Sequence, residues 1–143
     1  MSAAPYTLLV EDNADDAFLV LRSLRKAGAL GEVHWVRDGE AALEALLGEG
    51  AGPLPTRVIL DLHVPRYDGF EVLERLRADP RTRDLVVLVF TSSQHPDDRA
   101  RCAALHAQDF VTKPVDAVAF DARVREMVAR WWPPEASREF SSS

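Results

Sequence analysis

The sequence predicts a doubly wound α/β fold: a five-stranded parallel sheet with five helices divided over its two faces. Two observations predict it. Five short apolar runs recur along the 143 residues, rich in β-branched and aromatic side chains, as strands buried on both faces are. Between them lie stretches whose apolar residues recur every three or four positions, the helical period.

The first strand is read at Tyr6–Val10. A helix follows through Ala14, Ala17, Phe18, Leu21 and Leu24, with Gly28 as its natural stop. Val33–Val36 is the second strand, and Ala41, Ala42, Leu43 and Leu46–Leu47 give a helix ending at Gly48. Val58–Leu60 is the third strand. Val72, Leu73 and Leu76 mark a helix closed off by Pro80, because proline cannot continue one. Leu85–Phe90 is the fourth strand, and Pro96 opens an Ala-rich helix running to about Ala107. A weaker strand at Phe110–Val111 precedes the last helix, set by Phe120, Val124, Met127, Val128 and Trp131 and ended by Pro133–Pro134.

The length suits one domain, read as residues 1–132 with a tail at 133–143 that is either disordered or dimer-forming. A net charge of −6 argues against a nucleic-acid partner, which demands a basic face. The single Cys102 cannot form an internal disulfide and points to a reducing compartment, read most simply as a small buried residue. No apolar run is long enough to cross a membrane and no secretory segment opens the chain, so a cytoplasmic location is expected.

In parallel sheets ligands gather outside the carboxyl ends of the strands. The first strand is followed by Glu11 and Asp12, the third by Asp61, the fourth by Thr91, Ser92 and Ser93, and the fifth by Lys113 and Pro114. Arg37-Asp38-Gly39, after the second, reads as ordinary loop chemistry. Carboxylates about 5 Å apart repel by roughly 3 kcal/mol at an effective dielectric near 20. A hard divalent cation relieves that cost, and Mg²⁺ is the usual one at carboxylate-plus-phosphate sites. Lys113 adds a compact positive charge and Thr91 a hydroxyl donor. Such a set performs phosphoryl transfer, with a carboxylate as nucleophile.

The segments Leu8–Asn13, Val58–Leu62, Pro65–Phe70, Phe90–Ser93 and Phe110–Pro114 together resemble the receiver domains of bacterial two-component response regulators, in order and over Tyr6 to Trp132. The resemblance implies the flavodoxin-like strand order 2-1-3-4-5. It implies that Asp61 accepts the phosphoryl group from a sensor histidine kinase, so that the protein signals through protein contacts and is not an enzyme in the usual sense. Asp12 then ligates Mg²⁺ (Mn²⁺ or Ca²⁺ substituting), together with Asp61 and the backbone carbonyl of His63, while Glu11 holds the ion through water. Thr91 swings toward the phosphoryl group, Phe110 is the aromatic that follows it, and Lys113 lies over the site on a cis bond to Pro114. The kinase docks on the first helix, whose outer side draws on Asp15, Leu19, Val20, Arg22 and Ser23.

Two positions depart from the family's frequent residues. His63 stands where Asn is common, acting either through its ring or only through its carbonyl, and Phe110 replaces a frequent Tyr. The long Gly48–Thr56 connection and the Trp131-Trp132 ending look like the stand-alone regulators of phytochrome histidine kinases. Trp132 falls off the apolar stripe of the last helix and, with Phe140, suggests a homodimer through that helix and the tail; the alternative is a monomer. Two rival classes are weighed. A phosphohydrolase of the aspartyl-phosphate type needs a second Asp two residues after the nucleophile, where this chain has His63. A receiver-fold binding module acting without phosphorylation is the other, and the complete set of acids, Thr91 and Lys113 argues against it.

Overall fold

The computed structural model describes residues 6–29 and 31–132. Strands and helices alternate: β1 (Tyr6–Val10), α1 (Ala14–Lys26), β2 (Glu32–Val36), α2 (Gly39–Leu47), β3 (Arg57–Leu60), α3 (Gly69–Ala78), β4 (Val86–Thr91), α4 (Pro96–Ala104), β5 (Asp109–Thr112) and α5 (Ala117–Trp131). All four pairings are parallel, in the order β2-β1-β3-β4-β5. The predicted fold class and strand order are therefore those of the molecule.

Strand residues alternate between two cores, as a period of two requires. Leu8, Val10, Val58, Leu60, Val87 and Val89 face α2, α3 and the single buried residue of α4, Cys102. Leu9, Ile59, Leu88 and Phe90 face α1 and α5. With β1, β3 and β4 covered on both sides, these strands read as unbroken apolar runs.

Local chemistry sets the helix ends. Asn13, Asp38, Asp68 and Asp116 each cap a helix by accepting a hydrogen bond from the backbone N–H three residues on. Gly28, just past α1, takes φ +74°, where a side chain is strained. Asp79, before Pro80, is pushed to ψ 127° and ends α3.

Several expectations are corrected. Helix α4 stops at Ala104, because Leu105–Ala107 turn back through the left-handed His106 so that the Gln108 N–H reaches the Val87 carbonyl. Phe18 is 61% exposed, lying edge-on to Trp35 and outside the core. Val20 and Ser23 are buried, which leaves Asp15 and Arg22 as the exposed members of the predicted outer side of α1, with Leu19 half-buried. Trp132 is buried too. The chain turns extended at the end of α5, folding the indole beneath the Arg57 guanidinium, 4.1 Å from the ring centre. Phe140 and the rest of the proposed dimer-forming tail lie outside the described residues.

Candidate phosphoryl-transfer site

The site is built where β1, β3, β4 and β5 end. Glu11 and Asp61 follow adjacent strands, and parallel pairing sets them side by side: the Glu11 N–H reaches Val36 and the Asp61 N–H reaches Val10. Across the rim, the Lys113 N–H donates to the Thr91 carbonyl at 2.7 Å. This bond turns the lysine inward over the strand ends. The Lys113–Pro114 bond is trans, as are all peptide bonds among the described residues. The expected cis bond is thus corrected: trans is the lower-energy isomer, and from it the side chain already reaches the pocket.

The Lys113 ammonium is the pivot. Nζ lies 2.8 Å from Asp61 Oδ2, 2.7 Å from Glu11 Oε1 and 3.0 Å from Asp16 Oδ2. An ammonium has three N–H donors, and each has a carboxylate here. Glu11, Asp61, Thr91 and Lys113 are all buried, whereas Asp12 and His63 are exposed at the mouth. The remaining Asp61 oxygen accepts from the His63 N–H at 3.2 Å, and Glu11 Oε2 accepts from the Asn13 N–H at 3.0 Å.

Burial pushes the Asp61 carboxyl up, but Lys113 and hydrogen bonds from His63 and Thr91 outweigh it and hold Asp61 below the usual carboxylate range. Glu11 goes the other way. Burial pushes it up to about 7, its bond to Lys113 opposing and the Asp61 charge adding to the rise. Burial works against the Lys113 charge, yet Asp61 and Glu11 carry it above the ordinary lysine value. One cation thus serves three carboxylates, and the pocket keeps a net negative charge.

That imbalance fits a hard divalent cation. Among the described residues no three His, Cys, Asp or Glu side chains already form a metal cage. Glu11 and Asp61 instead turn oxygens to Lys113, while the exposed Asp12 is engaged through its backbone carbonyl by Arg37 at 3.1 Å. The oxygen donors suit Mg²⁺ in type and charge. Phe110, on β5, sits outside the acid pocket, half-buried with the Arg99 guanidinium 4.7 Å above its ring.

Two residues escaped the sequence reading. Asp16 lies one turn into α1, and only its five-residue spacing from Glu11 on a helix rising beside the rim hinted at it. Gly39, taken as ordinary loop chemistry, carries the β3–α3 loop. Its N–H donates to the Pro65 carbonyl at 3.0 Å, and a methyl group there would overlap the Tyr67 carbonyl.

The chain matches the family model described as the response regulator receiver domain over residues 7–125. It is 40% identical over 126 residues to the probable methanogenesis regulatory protein FilR2 of Methanothrix harundinacea, covering 87% of this chain and 81% of that protein. It is 36% identical over 109 residues to response regulator Rcp1 of Synechocystis, 74% of each chain. The Mn²⁺-bound structure of Rcp1 superposes with a TM-score of 0.82 at 31% identity, over 91% of this chain and 99% of the other. The phosphorylated cyanobacterial phytochrome response regulator RcpA gives the same TM-score and identity, over 90% and 94%.

Proposed function

The chain belongs to the response regulator receiver domain family, and from that premise we propose that it accepts a phosphoryl group on Asp61 from a sensor histidine kinase, in a reaction that depends on Mg²⁺. The observation that carries the reading is the Lys113 ammonium, within 2.8 Å of both Asp61 and Glu11 at the carboxyl edge of the sheet.

In this reading Asp61 is the nucleophile. Its depressed pKa keeps it ionised at neutral pH, with a lone pair for the incoming phosphorus. Asp12, Asp61 and the His63 carbonyl would hold the metal directly, and Glu11 would hold it through water. When bound, the cation neutralises charge on the transferring oxygens. Lys113 donates an N–H to a phosphoryl oxygen, and the Thr91 hydroxyl donates to another. Thr91 and Phe110 lie on neighbouring strands, so movement of the hydroxyl toward the phosphoryl group is passed to Phe110 and to the surface formed by α4, β5 and α5. The transfer balances simply: an Asp61 oxygen forms a bond to phosphorus as the bond to the donor's leaving group breaks.

The kinase is of the phytochrome type in this reading, supported by the likeness to RcpA. Residues 1–132 form the signalling domain and act in the cytoplasm. Residues 133–143, with the end of α5, join two copies into a homodimer. A monomeric mass by light scattering at tens of micromolar would remove the dimer.

Incubation with Mg²⁺ and acetyl phosphate, read by intact mass, tests the central claim. Wild type gains one phosphoryl group and Asp61→Asn gains none. A wild type that binds the metal and stays unmodified sends the reading to the phosphorylation-independent binding module. Phosphotransfer from a phytochrome-type kinase in preference to unrelated kinases tests the partner.

A further inference from the structure

We propose that Asp16 is a positioning residue for phosphoryl transfer, one that fixes the rotation of the Lys113 ammonium so that its third N–H points at the acceptor. The inference deepens the function above and rests on it.

The geometry distinguishes Asp16 from its neighbours. Its carboxylate lies 3.0 Å from Lys113 Nζ, with its side chain 30% exposed, so it stands at the mouth side of the ammonium. Glu11 takes a second N–H from the buried side at 2.7 Å. An ammonium held at two of its three N–H groups cannot rotate about its Cε–Nζ bond. The third N–H is then directed at Asp61 Oδ2, 2.8 Å away. When Asp61 becomes an acyl phosphate, the bond that Lys113 makes to the acceptor passes to a phosphoryl oxygen, while Glu11 and Asp16 keep their hold. Without Asp16 the lysine head is tethered only by Glu11 and by the acceptor itself, and its orientation is lost at the moment when it must meet developing charge.

Asp16 also sits on rigid scaffold. Its backbone N–H is tied to Asn13 Oδ1 at the start of α1, and the next residue, Ala17, is fully buried. The carboxylate is therefore supplied by a capped helix and not by a loop. Acting through Lys113, Asp16 need not touch the phosphoryl group.

The chain contains two lysines, Lys26 and Lys113, so the ¹⁵N-lysine ammonium spectrum has two candidates and the exposed Lys26 is assigned by Lys26→Arg. In metal-free wild-type protein the Lys113 ammonium gives a persistent proton-correlated signal. In Asp16→Ala that signal broadens, and in Asp16→Asn, which keeps an oxygen acceptor, it is retained in weakened form. With Mg²⁺ and acetyl phosphate at about 0.5 M salt, which shrinks the effect of removing a negative charge near an anionic donor, Asp16→Ala is phosphorylated about tenfold more slowly and Asp16→Asn less severely slowed. Mg²⁺ affinity, read by the fluorescence of Trp35, whose indole donates to the Glu11 carbonyl at 2.8 Å, stays within twofold of wild type. An unchanged Lys113 signal in Asp16→Ala overturns the inference. So does a wild-type phosphorylation rate, or a slowing matched by an equal loss of metal affinity. If wild type itself takes up no phosphoryl group, the functional reading fails, and the ammonium spectrum still decides whether Asp16 anchors Lys113. Asp16→Asn, nearly isosteric, guards against a folding defect in the alanine variant.

Discussion

Helices α4 and α5 flank the same edge strand, yet they are attached to the molecule in different ways. Helix α5 buries Phe120, Val124, Met127 and Val128 against α1 and the sheet. Helix α4, with the sequence PDDRARCAA, buries only Cys102. Its other contacts are polar and peripheral: Arg101 over the Phe70 ring, Arg99 over Phe110, a long ion pair from Arg101 to Glu74, a hydrogen bond from the Ser93 hydroxyl to Asp98 in its first turn, and Arg77 at the turn that follows it. The free energy to open an element locally follows the apolar surface it buries. The difference teaches that the face bearing the proposed output surface is anchored by a core on one side and by mostly polar contacts on the other, so the movement proposed for Thr91 would be taken up more readily by α4 than by α5.

The largest effect is expected on the fixed side. Phe120 is buried edge-on to Phe90, with ring centres 5.1 Å apart. Phe120→Ala removes that contact and leaves a cavity between α5 and β4. A loss of about 3–5 kcal/mol is expected, measured by urea denaturation. A loss below 1 kcal/mol would dissolve the contrast, because α5 would then be no better anchored than α4.

The next effect falls at the foot of α4. The Arg77 guanidinium donates from Nε to the Leu105 carbonyl at 2.9 Å, from Nη1 to Leu85 at 2.8 Å and Arg83 at 3.0 Å, and from Nη2 to His106 at 2.9 Å. A single side chain thereby ties the turn after α4 to the start of β4. Arg77→Met keeps the apolar stem but strands these carbonyls, at a cost of about 2–3 kcal/mol. Hydrogen exchange sharpens the point: the Leu105–Ala107 turn should lose protection in this variant while α5 keeps its own. Equal loss in both would mean that α4 and α5 open as one unit.

How much of this was legible in the sequence follows the same divide. Where one face of an element is buried, periodicity located it, as in α5 and in the runs of β1, β3 and β4. The strand-end rule then placed Glu11, Asp61, Thr91 and Lys113 together without coordinates. Legibility failed where the outcome depends on partners distant in the chain. Phe18 matches the apolar spacing of α1 but is 61% exposed, because the helix rotates Ala17 and Val20 toward α5. Trp132 breaks the spacing of α5, yet a turn in the backbone carries it onto Arg57, seventy-five positions earlier. Asp16 is one acid among many at the start of a helix, and its distinction is a lysine ninety-seven residues away.

The smallest effect concerns the sole apolar anchor of α4. Cys102→Ala removes one sulfur from the core formed with α2 and α3, and about 1 kcal/mol should be lost. The thiol is also a probe of α4 itself. Burial, with the Asp98 carboxylate adding, pushes it up to about 11, so the folded protein carries roughly one thiolate in a thousand at pH 8. Alkylation of the native protein therefore has two routes, which differ in their pH dependence. Direct attack on the buried thiol climbs tenfold per pH unit until about pH 11. Reaction through opening of α4 meets a thiol restored to an ordinary pKa near 8.5, and levels off above about pH 9. The loosely held helix predicts the second profile, with labelling faster than global unfolding measured by urea allows. A rate that keeps climbing to pH 11 would mean that α4 stays closed over Cys102, and that one buried sulfur with a polar fringe of Arg99, Arg101, Asp98 and Arg77 holds it as firmly as four core residues hold α5.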